Sequence, residues 1–220
     1  MFSYLFMKIL EGRPRSYDRR MDAISRGRIR SVKEDVAREI PQGARVLEMG
    51  CGTAELASML VGRGAVVTAF DPSPAMIEVA RERVNREGIG DRLTLKHMGV
   101  EGMDGLSSGQ YDAVVSTLVL SELSDQERRF ALTHAKRVLK PEGIIVIGDE
   151  VIPRKALPRI LQALFRLPLL LLTYLVSRNT TRPIADLPGE LKSAGFAINK
   201  EIRTQGDAFA LVIGSVPEKL

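Results

Sequence analysis

An acid, two glycines and a second acid are spaced along residues 45–71 in a way that fits a ligand site. Glu48 lies in an apolar run, Gly50 and Gly52 follow it, and Asp71 ends the next apolar run 23 residues after Glu48. A strand that turns into a helix leaves unpaired N–H groups at the helix start, and glycine lets a ligand approach the backbone closely. The spacing therefore predicts that a cofactor binds on the turn.

Two cofactor classes use such a turn, and the charge of Glu48 distinguishes them. The dinucleotide fingerprint is G-x-G-x-x-G, whereas residues 50–55 read GCGTAE and lack the third glycine. Beside a pyrophosphate the Glu48 carboxylate would be repelled, but beside the amino group of a methionine moiety it would be attracted. The acid therefore favours S-adenosylmethionine (SAM) over a nicotinamide dinucleotide, while Asp71 fits the ribose of either one.

Strands and helices alternate with short connections from residue 44 to residue 149, which is typical of a parallel sheet covered on both faces. The expected strands are 44–49, 65–70, 93–98, 111–120 and 144–149. The expected helices in this part of the chain and before it are 4–11, 19–40, 54–64, 73–88 and 124–143. Ser73 is the expected N-cap of the helix 73–88, because Pro74 suits its first position.

The pattern changes after residue 150. A basic, apolar helical stretch runs to about residue 177, a helix follows at 186–196, and strands at 197–204 and 208–216 should form an antiparallel pair. We therefore expect a single domain over residues 1–220. Its expected parts are an N-terminal helical cap (1–43), a SAM-binding core (44–150), a helical insert (151–185) and a C-terminal helix with a strand hairpin (186–220).

The composition is that of a globular protein and argues against several kinds of site. Hydrophobic residues make up 45% of the 220 residues, which is enough for a full core. A single cysteine excludes an internal disulfide, and with only two histidines beside it we expect no metal. No signal peptide is visible, and the apolar run 167–177 is shorter than the roughly 20 residues of a membrane span. A cytoplasmic location is expected.

Six stretches in series resemble the class I SAM-dependent methyltransferases. They cover about residues 44–216 and read VLEMGCGTAELA, AFDPSPAMIEVAR, LTLKHMGVEGM, YDAVVSTLVLSEL, KRVLKPEGIIVIGDE and LKSAGF. The resemblance implies an α/β, Rossmann-like fold with a seven-stranded, mostly parallel sheet, an antiparallel last strand and helices on both faces. More narrowly, FMKILEGRPRSYDRRMDAISRGRIRSV followed by this core resembles the corrinoid protein-associated methyltransferases.

The resemblance also implies which residues hold the cofactor. The methionine end would lie at Glu48 and the turn Gly50, Cys51 and Gly52, and the ribose at Asp71. The other implied contacts are Pro72, Ser73, Met76, Gly99 and Val100 around the adenine, and Ser116, Thr117 and Leu118 at the sulfonium. Two positions depart from the family pattern, since Gly99 stands where an acid often binds the adenine and Ala54 where many members have glycine.

Four residues are candidates for closing over the cofactor or contacting the methyl acceptor. Tyr17 precedes an aspartate in a YD pair that helps to close over SAM in the resembling families, or else it anchors a helix to the core. Glu122 follows the fourth strand and is a candidate for substrate contact. Asp149 and Glu150 follow the fifth strand at the sheet edge where ligands bind, where they would orient or deprotonate an acceptor, cap the next segment, or pair with an arginine. Cys51 is interpreted as a small residue of the turn rather than a nucleophile.

Positive charge is concentrated in two segments that the resemblance places over the substrate side. Residues 1–33 carry a net charge of +6 and residues 151–185 another +6, although the whole chain has only +5. Together they would form a lid that is apolar underneath and basic outside, or else a packed helix pair with a solvated arginine face. Such a lid would contact an anionic or apolar acceptor, an acidic partner protein, or, through 156–177, the surface of a membrane. Nucleic acid is not expected, because aromatic residues are only 5%.

These observations predict transfer of the SAM methyl group to a small apolar or anionic acceptor, which leaves S-adenosylhomocysteine (SAH). Loss of the sulfonium charge drives such a displacement, so the enzyme mainly needs proximity and orientation. Two alternatives stay open at this point. One is an acceptor on a protein or a protein-bound corrinoid. The other is a SAM-binding partner protein without catalysis, which Gly99 and the lack of an obvious base motivate.

Overall fold

One mixed sheet organises the molecule, and the computed structural model describes it over residues 14–154, 183–204 and 206–218. The strands are β1 Arg45–Met49, β2 Val66–Asp71, β3 Leu93–His97, β4 Tyr111–Thr117, β5 Leu139–Glu150, β6 Ala197–Thr204 and β7 Phe209–Ser215. They pair in the order β3-β2-β1-β4-β5-β7-β6. The first five strands are parallel to one another, whereas β7 lies antiparallel between β5 and β6. The predicted seven-stranded fold is confirmed.

Helices cover both faces of this sheet. They are α1 Tyr17–Ser25, α2 Arg28–Glu39, α3 Glu55–Gly62, α4 Pro74–Glu87, α5 Asp125–Val138 and α6 Leu187–Ser193. Apolar side chains of α2, α3 and α4 pack on one face, and those of α5 and α6 pack on the other. Because successive strand side chains point to opposite faces, Val46 belongs to the first layer and Leu47 to the second.

The predicted single helix over 19–40 is wrong, because two helices occupy this part of the chain. Arg26 and Gly27 both adopt left-handed backbone, with φ of 53° and 76°, which ends α1 and lets α2 begin in a new direction. We call α1 and α2 together the cap. Val32 of α2 packs so closely on Gly148 that a Cβ there would lie 2.9 Å from its Cγ1 atom. The cap therefore lies beside the carboxyl end of β5.

Two further predicted boundaries are corrected, and one predicted pair is confirmed. The helix expected over 124–143 ends at Val138, because Leu139 already pairs with Tyr111 at the start of β5. The strand expected over 111–120 ends at Thr117, since Leu118 has φ of 61° and turns the chain. The antiparallel pairing expected for 197–204 and 208–216 is present in β6 and β7.

The predicted helix at 4–11 and most of the predicted insert at 151–185 lie outside the described residues. Where the chain is described, no helix combines the length and apolarity that a membrane crossing requires. Val151 bridges Ile184 in parallel, so described residues from before and after this segment lie side by side. The subdivision of residues 1–220 into cap, core and insert stays a prediction.

Candidate functional site

A cleft opens where β1, β2 and β4 end at the carboxyl edge of the sheet. Ten residues singled out in the sequence line it: Tyr17, Glu48, Gly50, Cys51, Gly52, Asp71, Met76, Thr117, Leu118 and Glu122. Five lining residues were missed by sequence reasoning: Met21, Ile29, Lys33, Thr53 and Val119. Most of the missed residues come from the cap, whose direction relative to the sheet no local pattern reveals.

The glycine turn has the geometry that the sequence predicts for a close-approach loop. Gly50 and Gly52 have φ of 68° and 52°, a region that side chains with a Cβ rarely adopt. A Cβ on Gly50 would overlap the Val119 side chain, whereas a Cβ on Gly52 would meet no atom within 4 Å. Gly50 is therefore needed for packing against the β4 turn, and Gly52 leaves open space beside the cleft.

Asp71 joins the end of β2 to this turn. Its Oδ2 accepts a hydrogen bond from the Gly52 N–H at 2.8 Å, and its Oδ1 accepts one from the Ser73 N–H at 2.9 Å. Ser73 in turn caps α4, because its Oγ accepts from the Met76 N–H at 3.3 Å, which confirms the predicted N-cap. The carboxylate that was expected at a ribose thus also fixes the backbone around it.

Glu48 is a buried carboxyl at the cleft, with only 2% of its surface exposed. Burial raises its pKa to about 8, the nearby Lys33 opposes that rise, and Asp71 adds to it. Its Oε2 atom has no hydrogen-bond partner within the described part of the chain. An unsatisfied buried acceptor is costly, so this oxygen fits a cationic or hydrogen-bonding group of a ligand.

Cys51 lies between the two glycines with its thiol buried. Burial raises the pKa of that thiol, and the charges of Glu48 and Asp71 raise it further. A nucleophilic cysteine needs the opposite shift. The geometry therefore favours the small-residue interpretation of Cys51 over the nucleophile.

The cap is tied to the glycine turn through Asp18, the acid of the YD pair. Its Oδ1 accepts from the Thr53 hydroxyl at 2.6 Å, and its Oδ2 pairs with the Arg83 guanidinium. Arg83 also donates from Nε to the Thr53 carbonyl at 2.9 Å. We call Asp18, Thr53 and Arg83 the latch. It holds α1 against the turn, so that Tyr17 and Met21 line the cleft.

A signal for the missed cap residues is present in the sequence. Tyr17 and Met21 are four residues apart, as are Ile29 and Lys33, and such pairs share one face of a helix. Lys33 Nζ lies 2.7 Å from Glu55 Oε2, and only 13% of its side chain is exposed. A mostly buried lysine on an otherwise apolar face is unusual and marks that face as polar at one point.

Thr117, Leu118 and Glu122 line the cleft from the turn that follows β4. The Leu118 N–H donates to the Gly148 carbonyl at 2.9 Å, which fixes the turn on β5. Ser116, one residue earlier, is fully buried and donates to the Met49 carbonyl at 3.2 Å. Ser116 therefore bonds to the end of β1, and it does not line the cleft.

Asp149 and Glu150 are both buried at the end of β5 and do not line the cleft. Asp149 accepts from the Ser121 N–H at 3.2 Å and from the Glu150 N–H at 2.7 Å. Burial raises its pKa to about 6, and those donors lower it. Asp149 thus holds the turn Leu120–Glu122, which carries Glu122 to the cleft.

On the expected adenine side, Met76 lines the cleft, whereas Pro72, Ser73, Gly99 and Val100 do not. Val100 is buried in the core layer that contains Phe70. Gly99 is covered by the Glu101 carboxylate, which a Cβ at residue 99 would overlap. An acidic side chain, that of Glu101, therefore lies beside Gly99, although residue 99 itself is a glycine.

Comparisons with known proteins agree with this geometry. Residues 46–143 match the family model for a methyltransferase domain. An uncharacterized methyltransferase of Oceanobacillus iheyensis is 32% identical over 113 residues, which are 50% of this chain and 49% of that protein. The demethylmenaquinone methyltransferase of Tropheryma whipplei is 32% identical over 117 residues, which are 53% of this chain and 46% of that protein. The chain spans about half the length of these curated relatives.

The fold also matches a solved structure that holds a cofactor product. It is the 1,6-didemethyltoxoflavin-N1-methyltransferase of Burkholderia thailandensis with 1,6-didemethyltoxoflavin and SAH bound. The two superpose with a TM-score of 0.69 over 92% of this chain and 84% of that chain, at 16% identity. This likeness shows that the two chains share a fold.

Proposed function

We propose that this protein transfers the methyl group of SAM to a small apolar or anionic molecule. The observation that carries the proposal is the unpartnered Oε2 atom of Glu48 in the cleft beside the glycine turn. A buried acid there suits the ammonium group of an amino acid, which favours its ionised form, whereas a pyrophosphate would be repelled by that form. The turn Thr117–Glu122 lines the same cleft, so an acceptor held there would lie near the cofactor.

The residues of the cleft divide into those that hold the cofactor and those that orient the acceptor. Glu48 and the turn Gly50–Gly52 suit the methionine end, and Asp71 suits the ribose. Bound SAM supplies an electrophilic methyl group on a positively charged sulfur. Thr117, Leu118 and Glu122 would then orient the nucleophile and exclude water, which is the main demand of such a transfer.

The acceptor class rests on the lining of the cleft and on the names of the relatives. Apolar side chains of Met21, Ile29 and Leu118 line the cleft together with the cation Lys33, which suits an apolar molecule or an anion. Demethylmenaquinone and 1,6-didemethyltoxoflavin, in the names of the relatives, are both small molecules. Neither name refers to a corrinoid protein, so the narrower resemblance stays a prediction.

Calorimetric titration with SAH tests the cofactor assignment, with NADH as the control ligand. We expect SAH alone to bind, and Asp71→Asn to weaken that binding. Binding of NADH alone would overturn the proposal, because it would contradict the interpretation of Glu48. Unchanged SAH affinity in Asp71→Asn would show that the ribose lies elsewhere.

Transfer of a radiolabelled methyl group from SAM tests the reaction itself. The acceptor panel contains quinols, phenols, thiols and amines, together with a cobalamin as the corrinoid probe. We expect label in at least one small organic acceptor. SAH binding without transfer to any acceptor would support the alternative of a SAM-binding partner protein.

A further inference from the structure

Two buried charged side chains hold the turn Leu120–Glu122. Asp149, at the end of β5, is 0% exposed, and its Oδ2 accepts from the Ser121 N–H at 3.2 Å. Arg128 of α5 is 8% exposed, and its Nη1 donates to the carbonyl of Leu123, the residue after the turn, at 2.8 Å. Neither charged side chain lines the cleft. An acid and a cation from two separate elements therefore bind one short turn from outside the cleft.

The turn depends on these outside contacts, because its own hydrogen bonds are weak. It is a single 3₁₀ turn, in which the Glu122 N–H donates to the Val119 carbonyl at 2.9 Å. The Leu123 N–H donates to the Leu120 carbonyl at 3.2 Å. Such bonds between residues three apart have poorer geometry than those of an α-helix. The position of Glu122 is therefore set largely by the groups that hold the turn from outside.

Stability alone does not account for two buried charges at one turn. The N–H and the hydroxyl of Ser121 compensate the charge of Asp149, and Asp125 and Glu190 compensate that of Arg128 at 2.5 and 3.0 Å. Replacing such buried charges with apolar side chains of similar volume is often neutral or stabilising. What the charged groups add is a fixed direction, because hydrogen bonds to charged groups are short and geometrically specific.

We propose that Asp149 and Arg128 are positioning residues, which fix the turn so that Glu122 meets the methyl acceptor in the orientation that transfer requires. The inference rests on the proposed function, because it places an acceptor against Glu122. Displacement at the methyl group depends mainly on alignment, and a misplacement of about 1 Å can lower the rate about 100-fold. Asp149 thus acts through the turn, and it is not the base that its place at the sheet edge suggested.

The competing explanation is that both side chains only stabilise packing. Arg128 joins α5 to α6 through Glu190, and Asp149 joins β5 to the turn. A purely structural role would weaken cofactor binding and methyl transfer together. A positioning role lowers the rate of transfer and leaves cofactor affinity unchanged.

The experiment measures methyl transfer and SAH binding in matched variants. Asp149→Ala removes the acceptor of the Ser121 N–H, whereas Asp149→Asn keeps one of the two acceptor oxygens. The matched controls are Asp112→Ala and Asp112→Asn. Asp112 lies near the start of β4, away from the cleft, and its Oδ2 accepts from the Arg45 N–H at 2.8 Å. The controls therefore remove the same kind of bond at a different place.

Radiolabel transfer to the quinol, phenol, thiol or amine that the wild-type protein methylates fastest gives kcat and KM, and calorimetry gives SAH affinity. For Asp149→Ala we expect kcat to fall about 10- to 100-fold, the range for misplaced reacting groups, with SAH affinity unchanged. Asp149→Asn should keep part of the kcat that is lost in Asp149→Ala. The two Asp112 variants should leave kcat and SAH affinity unchanged.

Arg128→Lys tests the second contact. Lysine keeps the charge but replaces the planar fork of donors with one ammonium group, so we expect kcat to fall about tenfold with SAH affinity unchanged. Arg137→Lys is the control on the same helix. Arg137 donates to the Met103 and Leu106 carbonyls at 2.8 and 2.6 Å, so it holds a different turn, and its variant should keep the wild-type kcat.

The results separate failure of the inference from failure of the proposed function. If Asp149→Ala lowers kcat no more than Asp112→Ala, or lowers SAH affinity by the same factor as kcat, the inference is overturned while the proposed function stands. Should Asp149→Ala fail to fold, the comparison of Asp149→Asn with Asp112→Asn gives the same decision. If the wild-type protein transfers label to no acceptor, the proposed function itself is overturned and the inference with it.

Discussion

At the scale of single residues, Glu48 is the clearest case of a side chain whose burial costs stability. Its carboxyl is buried and one oxygen lacks a partner within the described residues. Burial is the largest influence on its pKa, which rises from 4.5 to about 8. A group whose pKa is higher in the folded state stabilises the fold at low pH, and that contribution is lost as pH rises through the folded pKa.

We therefore expect Glu48→Gln to stabilise the protein at alkaline pH. Near pH 4 the two proteins should differ little, because Glu48 is then largely neutral in both the folded and the unfolded state. At pH 8.5 the variant should be more stable by a few kcal/mol, since a unit of pKa shift corresponds to about 1.4 kcal/mol. Urea unfolding at both pH values measures the difference.

Glu127 provides the control for that stability measurement. Its pKa is lowered by hydrogen bonds from Ser124 in the cap of α5, so its ionised form stabilises the fold. Glu127→Gln should therefore destabilise the protein, and more at pH 8.5 than at pH 4. If both variants showed the same pH dependence, the account of Glu48 would be wrong.

The same carboxyl predicts how cofactor affinity depends on pH. Below pH 8 Glu48 is neutral in the free protein, so binding an ammonium group must release its proton. SAH affinity should therefore rise between pH 6 and pH 7.5 by up to about tenfold per pH unit. Glu48→Gln should bind SAH more weakly and without this slope. Calorimetry in buffers of different ionisation enthalpy would count the released proton directly.

At the scale of elements, the turn between β1 and α3 contains two glycines, and a side chain would be unfavourable at each for a different reason. Both have positive φ, but only Gly50 packs against another side chain, that of Val119. A side chain at residue 52 would therefore meet only the cost of the backbone conformation, whereas one at residue 50 would also overlap a neighbour.

Substituting the two glycines should give unequal losses of stability. Gly52→Ala should cost about 1 kcal/mol, the usual cost of a left-handed non-glycine residue. Gly50→Ala should cost at least about 2 kcal/mol, because overpacking adds to the same backbone cost. Chemical unfolding of both variants measures this, and equal losses would mean that Val119 yields freely to the new methyl group.

The latch is the second feature at this scale. It joins the cap to the glycine turn, although the two are far apart in the sequence. We expect Asp18→Ala to weaken SAH binding about tenfold, since removing a partner from a part-buried charge pair costs on the order of 1–3 kcal/mol. The change should come mainly from faster dissociation, which stopped-flow displacement measures. Arg15→Gln is the control, because it breaks an exposed pair with Glu82 that should contribute almost nothing. An unchanged dissociation rate in Asp18→Ala would contradict a closing role for the cap.

At the scale of the whole molecule, the cleft is built by elements from distant parts of the chain. Four cap residues line it together with the ends of β1, β2 and β4, namely Tyr17, Met21, Ile29 and Lys33. A ligand that contacts both sides stabilises them together, and it stabilises the whole fold by an amount set by its concentration and Kd.

Hydrogen exchange should show this coupling. We expect SAH to slow amide exchange in α1, α2 and the turn Gly50–Ala54 by a similar factor. The β6–β7 hairpin, which has no residue in the cleft, serves as the internal reference and should change only as much as global stability does. Protection of the turn without protection of the cap would mean that the cap does not close on the ligand.

Local patterns in the sequence were enough for much of the fold and for the chemical core of the site. Runs of apolar residues gave β1, β2 and β3 within one residue at each end, because buried parallel strands are continuous apolar segments. Glu48, the two glycines and Asp71 were recognisable because adjacent strand ends carry them within one short stretch. Two boundaries were predicted wrongly. Strand pairing starts β5 at Leu139, and the left-handed backbone of Arg26 ends α1.

What the sequence by itself determined is therefore the order of elements, the seven-stranded sheet and the acid–glycine–acid pattern that favours SAM. Only the tertiary structure decided that Lys33 and Glu48 line one cleft, that Asp18 contacts Thr53 and Arg83, and that Asp149 holds the turn Leu120–Glu122 without lining the cleft. The physical reason is distance along the chain. These contacts depend on the direction that the left-handed residues Arg26 and Gly27 give to the cap and on packing between layers, and neither leaves a periodic signal in the sequence.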